Sequence, residues 1–140
     1  MESTLDHSRR DEYWSIAQLR DAIDHQYDFN ESLLTAVQFT RHGLACELGF
    51  DCVQQHDSGR IVRATIELIC VHSIEFTGAL TDAMVKSPDR VNWGLTEIAA
   101  VKVSESSKGA IRIEVLWESD RRLIVQSEFA TFHIDVKEPE

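Results

Sequence analysis

A chain of 140 residues with 43% hydrophobic and 27% charged side chains is long enough for one domain whose core needs neither disulfide nor metal, and its balance excludes a fibrous or disordered protein. Its 24 acids against 14 bases leave a net charge of −10, which argues against general affinity for nucleic acid or anionic membranes and is compatible with a basic partner. Neither a secretory signal nor a run of roughly 18 apolar residues is visible, and three cysteines, an odd number, argue against a closed disulfide framework. The expectation is a single cytoplasmic domain over residues 1–140, with 1–10 and 137–140 flexible.

Between Asp11 and Tyr27, the residues Tyr13, Ile16, Leu19 and Ile23 fall three and four apart. That is the spacing of an amphipathic helix, predicted from Glu12 to Gln26. Asp11 and Glu12 suit its N-terminus, where unpaired amides favour negative charge, and Asp28 to Ser32 breaks the period. From Leu33 to Val136 apolar residues recur at every second position in short runs, as in strands with one buried face. Leu33, Val37 and Phe39 share a face of the first strand, and Arg41-His42-Gly43 makes a tight turn with the glycine a left-handed residue needs.

In the second strand Cys46, Leu48, Phe50 and Cys52 point one way, and Asp57-Ser58-Gly59 closes the next hairpin. Val62, Ala64, Ile66, Leu68 and Cys70 line the third strand. Its other face holds Ile61, Ile69 and Val71, so partial cover on both sides is expected. Residues from about His72 to Gly94 form the longest connection, with a short helical turn around Leu80 to Val85 and with Phe76 and Trp93 as its large aromatics; long excursions of this kind are often functional.

Ala99, Val101 and Val103 then mark a fourth strand, Ser106 to Gly109 a turn, and Ile111, Ile113, Val115 and Trp117 a fifth. After a turn at Glu118 to Arg121, Leu123 and Val125 have odd parity while Ala130, Phe132, Ile134 and Val136 have even parity. A single flat strand cannot satisfy both sets, so a bulge or bend is predicted between Gln126 and Phe129, or two strands meeting there. The sum is an α+β fold: a predominantly antiparallel meander of six to seven strands with one N-terminal helix, a β-sandwich or partly closed barrel being the alternative.

Chemistry-bearing motifs are absent. Cys46 and Cys52 lack the close spacing of a redox pair or zinc knuckle and sit on an apolar parity, as does Cys70, so all three read as buried thiols. No two of the six histidines show metal-ligand spacing; His72, flanked by Cys70 and Ile74, is the only one whose position is compatible with burial. Neither a nucleophile elbow nor a phosphate-cradling glycine loop occurs, so no cofactor or metal is implied and an enzyme is disfavoured. Glu114 and Glu118 are expected near Arg112, Arg121 and Arg122. Trp117, in phase with Ile113 and Val115, reads as core, while Trp93, between Asn92 and Gly94, suits core and interface equally.

The Asn30-Glu31-Ser32-Leu33-Leu34 lead-in to the first strand, the Ile74-Glu75-Phe76-Thr77-Gly78 exit from the third and the closing strands to Val136 resemble small bacterial immunity proteins of polymorphic toxin systems, over roughly residues 25–136. The resemblance implies a cytoplasmic domain that binds and neutralises a cognate toxin protein; it supplies no motif from which to carry over functional residues. The leading expectation is therefore a protein-binding module for a basic partner, using Asp82, Asp89 and Trp93 in the long connection and Glu114 and Glu118 on a sheet face. The competing expectations are a ligand-binding or enzymatic domain with a pocket between sheet and helix, and an oligomerising structural protein that pairs through an exposed strand edge.

Overall fold

The computed structural model describes residues 13–54, 61–94, 96–107 and 109–136. Its elements run α1 (Ile16–Asp21), a wide helical turn (Ala22–Gln26), β1 (Tyr27–Thr40), a tight turn (Arg41–Gly43), β2 (Ala45–Gln54), β3 (Ile61–Thr77), α2 (Asp82–Lys86), β4 (Ile98–Glu105), β5 (Ile111–Trp117) and β6 (Arg122–Val136). The six strands form one open antiparallel sheet in the order β1-β2-β3-β6-β5-β4. Two three-strand meanders thus meet along β3 and β6, the α+β architecture expected. Among the described residues no helix is long and apolar enough to cross a membrane. The expected N-terminal arm, the hairpin at Asp57-Ser58-Gly59 and the C-terminal tail lie outside the described residues.

The helix starts later than its periodicity suggests. Ser15 caps it reciprocally: the Gln18 amide donates to Ser15 Oγ at 3.1 Å, and the Ser15 amide donates to the Gln18 side chain at 2.8 Å. This capping box satisfies donors that would otherwise be orphaned and fixes the boundary at Ile16. Leu19, Ala22 and Ile23 turn into the core.

β3 and β6 are the longest strands and serve both meanders. The N-terminal half of β3 pairs with β2, while Arg122 to Ser127 of β6 pair with β5. Where the halves meet, the sheet bends. Cys70 has φ of 60°, the Cys70 and Val71 amides both donate to the Leu44 carbonyl, and the β3–β6 register slips between Val71 and Ser73. Opposite, Ser127 Oγ donates to the Phe129 carbonyl at 3.0 Å. β6 stays continuous through the bend, but its buried positions change from Leu123, Val125 and Ser127 to Ala130, as its phase change predicts. The same left-handed residue corrects one expectation: Cys70 leaves the alternation of β3 and is exposed.

β2 and β5 follow their parities, with Cys46, Leu48, Phe50, Cys52, Ile111, Ile113, Val115 and Trp117 all buried. β1 departs from its own. A register slip between Leu34 and Ala36 buries Leu34, Ala36 and Val37, whereas Leu33 is half-buried and Phe39 is 62% exposed. A second slip, between Ile98 and Ala100, turns Ile98 inward and leaves Ala99 exposed, while Val101 and Val103 face the core as expected. On the other face of β3, Ile69 is buried, Val71 packs against the core and Ile61 is exposed.

Both edges of the sheet are engaged. Along β1, Val37 donates to the Pro88 carbonyl at 2.9 Å, Val91 to Thr35 at 3.2 Å and Trp93 to Leu34 at 2.9 Å. On β4, Arg20 of α1 donates from Nε to the Val103 carbonyl at 2.8 Å. Covering edges in this way blocks strand addition by another chain.

Candidate functional site

The long connection is built inward more than outward. Trp93 packs against the core, donates from its indole to the Pro88 carbonyl at 2.9 Å and meets Phe76 edge-on at 5.5 Å. Asp89 lies in the preceding turn, 3.9 Å from Arg90, and Asp82 is exposed in the first turn of α2. Thr81 caps that helix through Met84, whose side chain is buried. Glu118 is exposed in the β5–β6 turn. Asp82, Trp93 and Glu118 therefore belong to segments gathered around Arg121, which contacts Ala79, Met84 and Trp93. Glu114 lies apart, on the solvent face of β5, and accepts from Arg112; of the arginines expected near the two glutamates, Arg121 is held by carbonyls instead.

Glu114 also reaches a 330 Å³ cleft between α1 and β4, lined with Arg20, Ile23, Asp24, Lys102 and Val103. Among the described residues no group of three or more His, Cys, Asp or Glu is arranged to hold a metal. His72 corrects a further expectation: it is exposed, with Nε2 3.0 Å from Glu128, because the bend beside it rotates the strand. Burial, and then the neighbouring Glu47, push the Cys46 thiol up to about 12, so it is an inert core group at neutral pH.

A cross-strand polar row lies on the outer face of β1, β2, β3 and the second half of β6, away from the residues singled out from the sequence. Gln38, Glu47, Glu67 and Thr131 stand in one cross-strand row. Glu67 accepts from Thr40 at 2.8 Å and from Arg41 at 3.1 Å. Burial raises the Glu67 pKa, but the hydrogen bonds from Arg41 and Thr40 and the Arg41 charge outweigh it, so the carboxyl titrates below its ordinary value. Glu47 has no such donors among the described residues. Burial and the facing Glu67 raise it above the carboxylate norm, with Arg63 only partly opposing.

Arg63 is held elsewhere, donating to Asp51 at 2.9 Å and to Thr35 at 3.0 Å. Its guanidinium crosses Gly49, where a Cβ would lie 2.8 Å from it; glycine in mid-strand marks such a close approach. One row further along, Phe129 pairs with Ile69, and Tyr13 stacks on Phe129 with centroids 4.7 Å apart. Both rings are substantially exposed. A half-buried pair of like charges thus sits beside an exposed aromatic stack. The signal for this surface was present in the polar parity of β2 and β3, whose antiparallel pairing sets Glu47 opposite Glu67.

No protein-family model matches the chain, and no curated protein matches it. Among solved structures, an uncharacterized protein from Neisseria gonorrhoeae is similar in fold, with a TM-score of 0.50 at 13% identity over 77% of this chain and 95% of that one.

Proposed function

We propose that the chain is a protein-binding module for a basic partner, and that the partner is a toxin it neutralises, as a bacterial cytoplasmic immunity protein does. The observation that carries this reading is the juxtaposition on one outer face of Glu47 opposite Glu67 with the exposed Tyr13–Phe129 stack. Like charges directly opposed across strands destabilise a sheet; Arg41 offsets the charge of Glu67, and a cation from a partner relieves the cost that remains at Glu47. Aromatic pairs supply the area on which binding hot spots depend. The net charge of −10 speeds encounter with a basic protein more than it sets affinity.

Capture on the tagged full-length chain from a native lysate at low salt, followed by co-expression of the captured protein, tests the reading. The expected result is a basic protein released by salt and toxic only when produced without this chain. A chain that elutes alone, or a captured protein equally harmful with and without it, refutes the reading. The cleft between α1 and β4 supports a second reading, a small-ligand domain. A metabolite that raises the melting temperature in wild type and not in Arg20→Ala supports that alternative.

A further inference from the structure

Among the described residues Arg121 is the one arginine whose exposure falls to 9%, and no carboxylate among them neutralises it. Its Nε donates to the Trp93 carbonyl at 3.2 Å, and its Nη2 donates to the Ala79 carbonyl at 2.8 Å and approaches Met84 Sδ at 3.5 Å. The guanidinium carbon lies 5.3 Å from the Phe76 ring centroid. These contacts hold the planar fork still and leave the Nη1 hydrogens without an acceptor among the described residues. Nη1 lies on the side of Gly78, where a Cβ would come within 3.3 Å.

That side is the wall of an open 470 Å³ pocket formed by Gly78, Ala79, Gly94, Thr96, Ser119 and Asp120 with Arg121. A guanidinium this far withdrawn from water with no carboxylate beside it favours an anion at its remaining donors, and the Nη1 hydrogens, which are not sealed from solvent, can make a charge-assisted hydrogen bond to a carboxylate oxygen. We propose that this pocket binds a carboxylate through Arg121 Nη1, with the β3–β4 connection and the β5–β6 turn as its walls. The proposal is independent of the acidic outer face. Asp120 on the rim carries the same charge as the ligand and limits its affinity.

The test is a titration of the isotope-labelled full-length chain with sodium acetate at constant ionic strength, followed by NMR. Saturable shifts are expected at the amides of Gly78, Ala79, Gly94 and Thr96 and at the Arg121 side chain, with chloride giving none. Asp120→Asn removes the like charge and tightens acetate binding about threefold, without touching the residues that hold Arg121. Arg121→Lys, which loses the carbonyl contacts that fix the guanidinium and with them the placed Nη1 donor, abolishes the shifts; should that variant fail to fold, the Asp120→Asn comparison decides alone. Shifts that stay linear in acetate, that chloride reproduces, or that Asp120→Asn leaves unchanged overturn the proposal. A parallel titration with a blocked glutamate peptide identifies the source. Tighter binding than acetate assigns the pocket to a polypeptide side chain, and equal or weaker binding to a free acid.

Discussion

Replacing Gly94 by alanine tests packing apart from backbone conformation, because among the described glycines its added Cβ meets the closest contacts. A Cβ there would lie 1.7 Å from Trp117 Nε1, 2.2 Å from Cε2 and 2.3 Å from Cδ1. Trp117 is only 4% exposed and belongs to the core cluster, so moving its ring disturbs the packing around it. Gly94 itself follows Trp93, which is bonded to β1 through its amide and to Arg121 through its carbonyl. Moving either side by more than an ångström disturbs the core or peels the connection from the sheet edge.

Overpacking of this kind costs typically 1–3 kcal/mol, and the rigidity of both partners places Gly94→Ala near the upper end, at about 3 kcal/mol. For a chain of this size that is about 9 °C in melting temperature. Gly43→Ala is the control. Its φ is +89° but no atom lies within 4 Å of the added Cβ, so it carries only the left-handed strain, about 1 kcal/mol. Thermal and urea unfolding followed by tryptophan fluorescence measure both. A Gly94→Ala variant that melts with wild type, or closer to it than Gly43→Ala does, refutes the packing argument.

Other consequences follow from the same structure. A thiol reagent at pH 8 should label Cys70 alone in the native chain and all three cysteines in denaturant; rapid labelling of Cys46, whose pKa is about 12, contradicts its burial. Phe50 is fully buried and meets Phe29 at 5.0 Å, so Phe50→Ala should lose about 3–5 kcal/mol in chemical denaturation. The outer-face glutamates should respond to pH in opposite senses. Glu67 has a lowered folded pKa, so its contribution is present above the ordinary carboxyl range and is lost as pH falls through the folded value. Glu67→Gln is therefore destabilising at pH 7, by an amount that shrinks on acidification. Glu47 has a raised folded pKa, so stability is lost as pH rises from its unfolded to its folded value. Glu47→Gln should accordingly stabilise at pH 7 and be neutral near pH 3. Melting curves across that range check both signs.

The strands were legible wherever one face is buried and the partner strand runs in register, as in β2 and β5, because a period of two is then the whole signal. Legibility failed at register slips. Phe39, Leu33 and Ala99 were assigned inward by alternation, yet slips in β1 and β4 place Ala36 beside Val37 and Ile98 toward the core. Cys70 and His72 failed together for one reason, a left-handed residue that redirects β3, which no apolar pattern announces. The opposite change in β6 could be read, since both of its phases are marked by large apolar residues. The partner surface was harder to read. Its residues are polar positions on strands, and their meaning depends on which strands pair. Trp93 looked available from its loop neighbours, but its indole N–H is satisfied by Pro88 within the same connection. Arg121 looked like a surface ion-pair residue because its acceptors are carbonyls distant in sequence.

The central claim, that the outer face around Glu47 and Glu67 receives a basic partner, is tested most directly by calorimetric titration of the captured partner into wild type and into the Glu47→Gln, Glu67→Gln double variant at low and high salt. Binding is expected to weaken at least about tenfold in the double variant, with a salt dependence smaller than that of wild type. Equal affinity and equal salt dependence in the two proteins would contradict it.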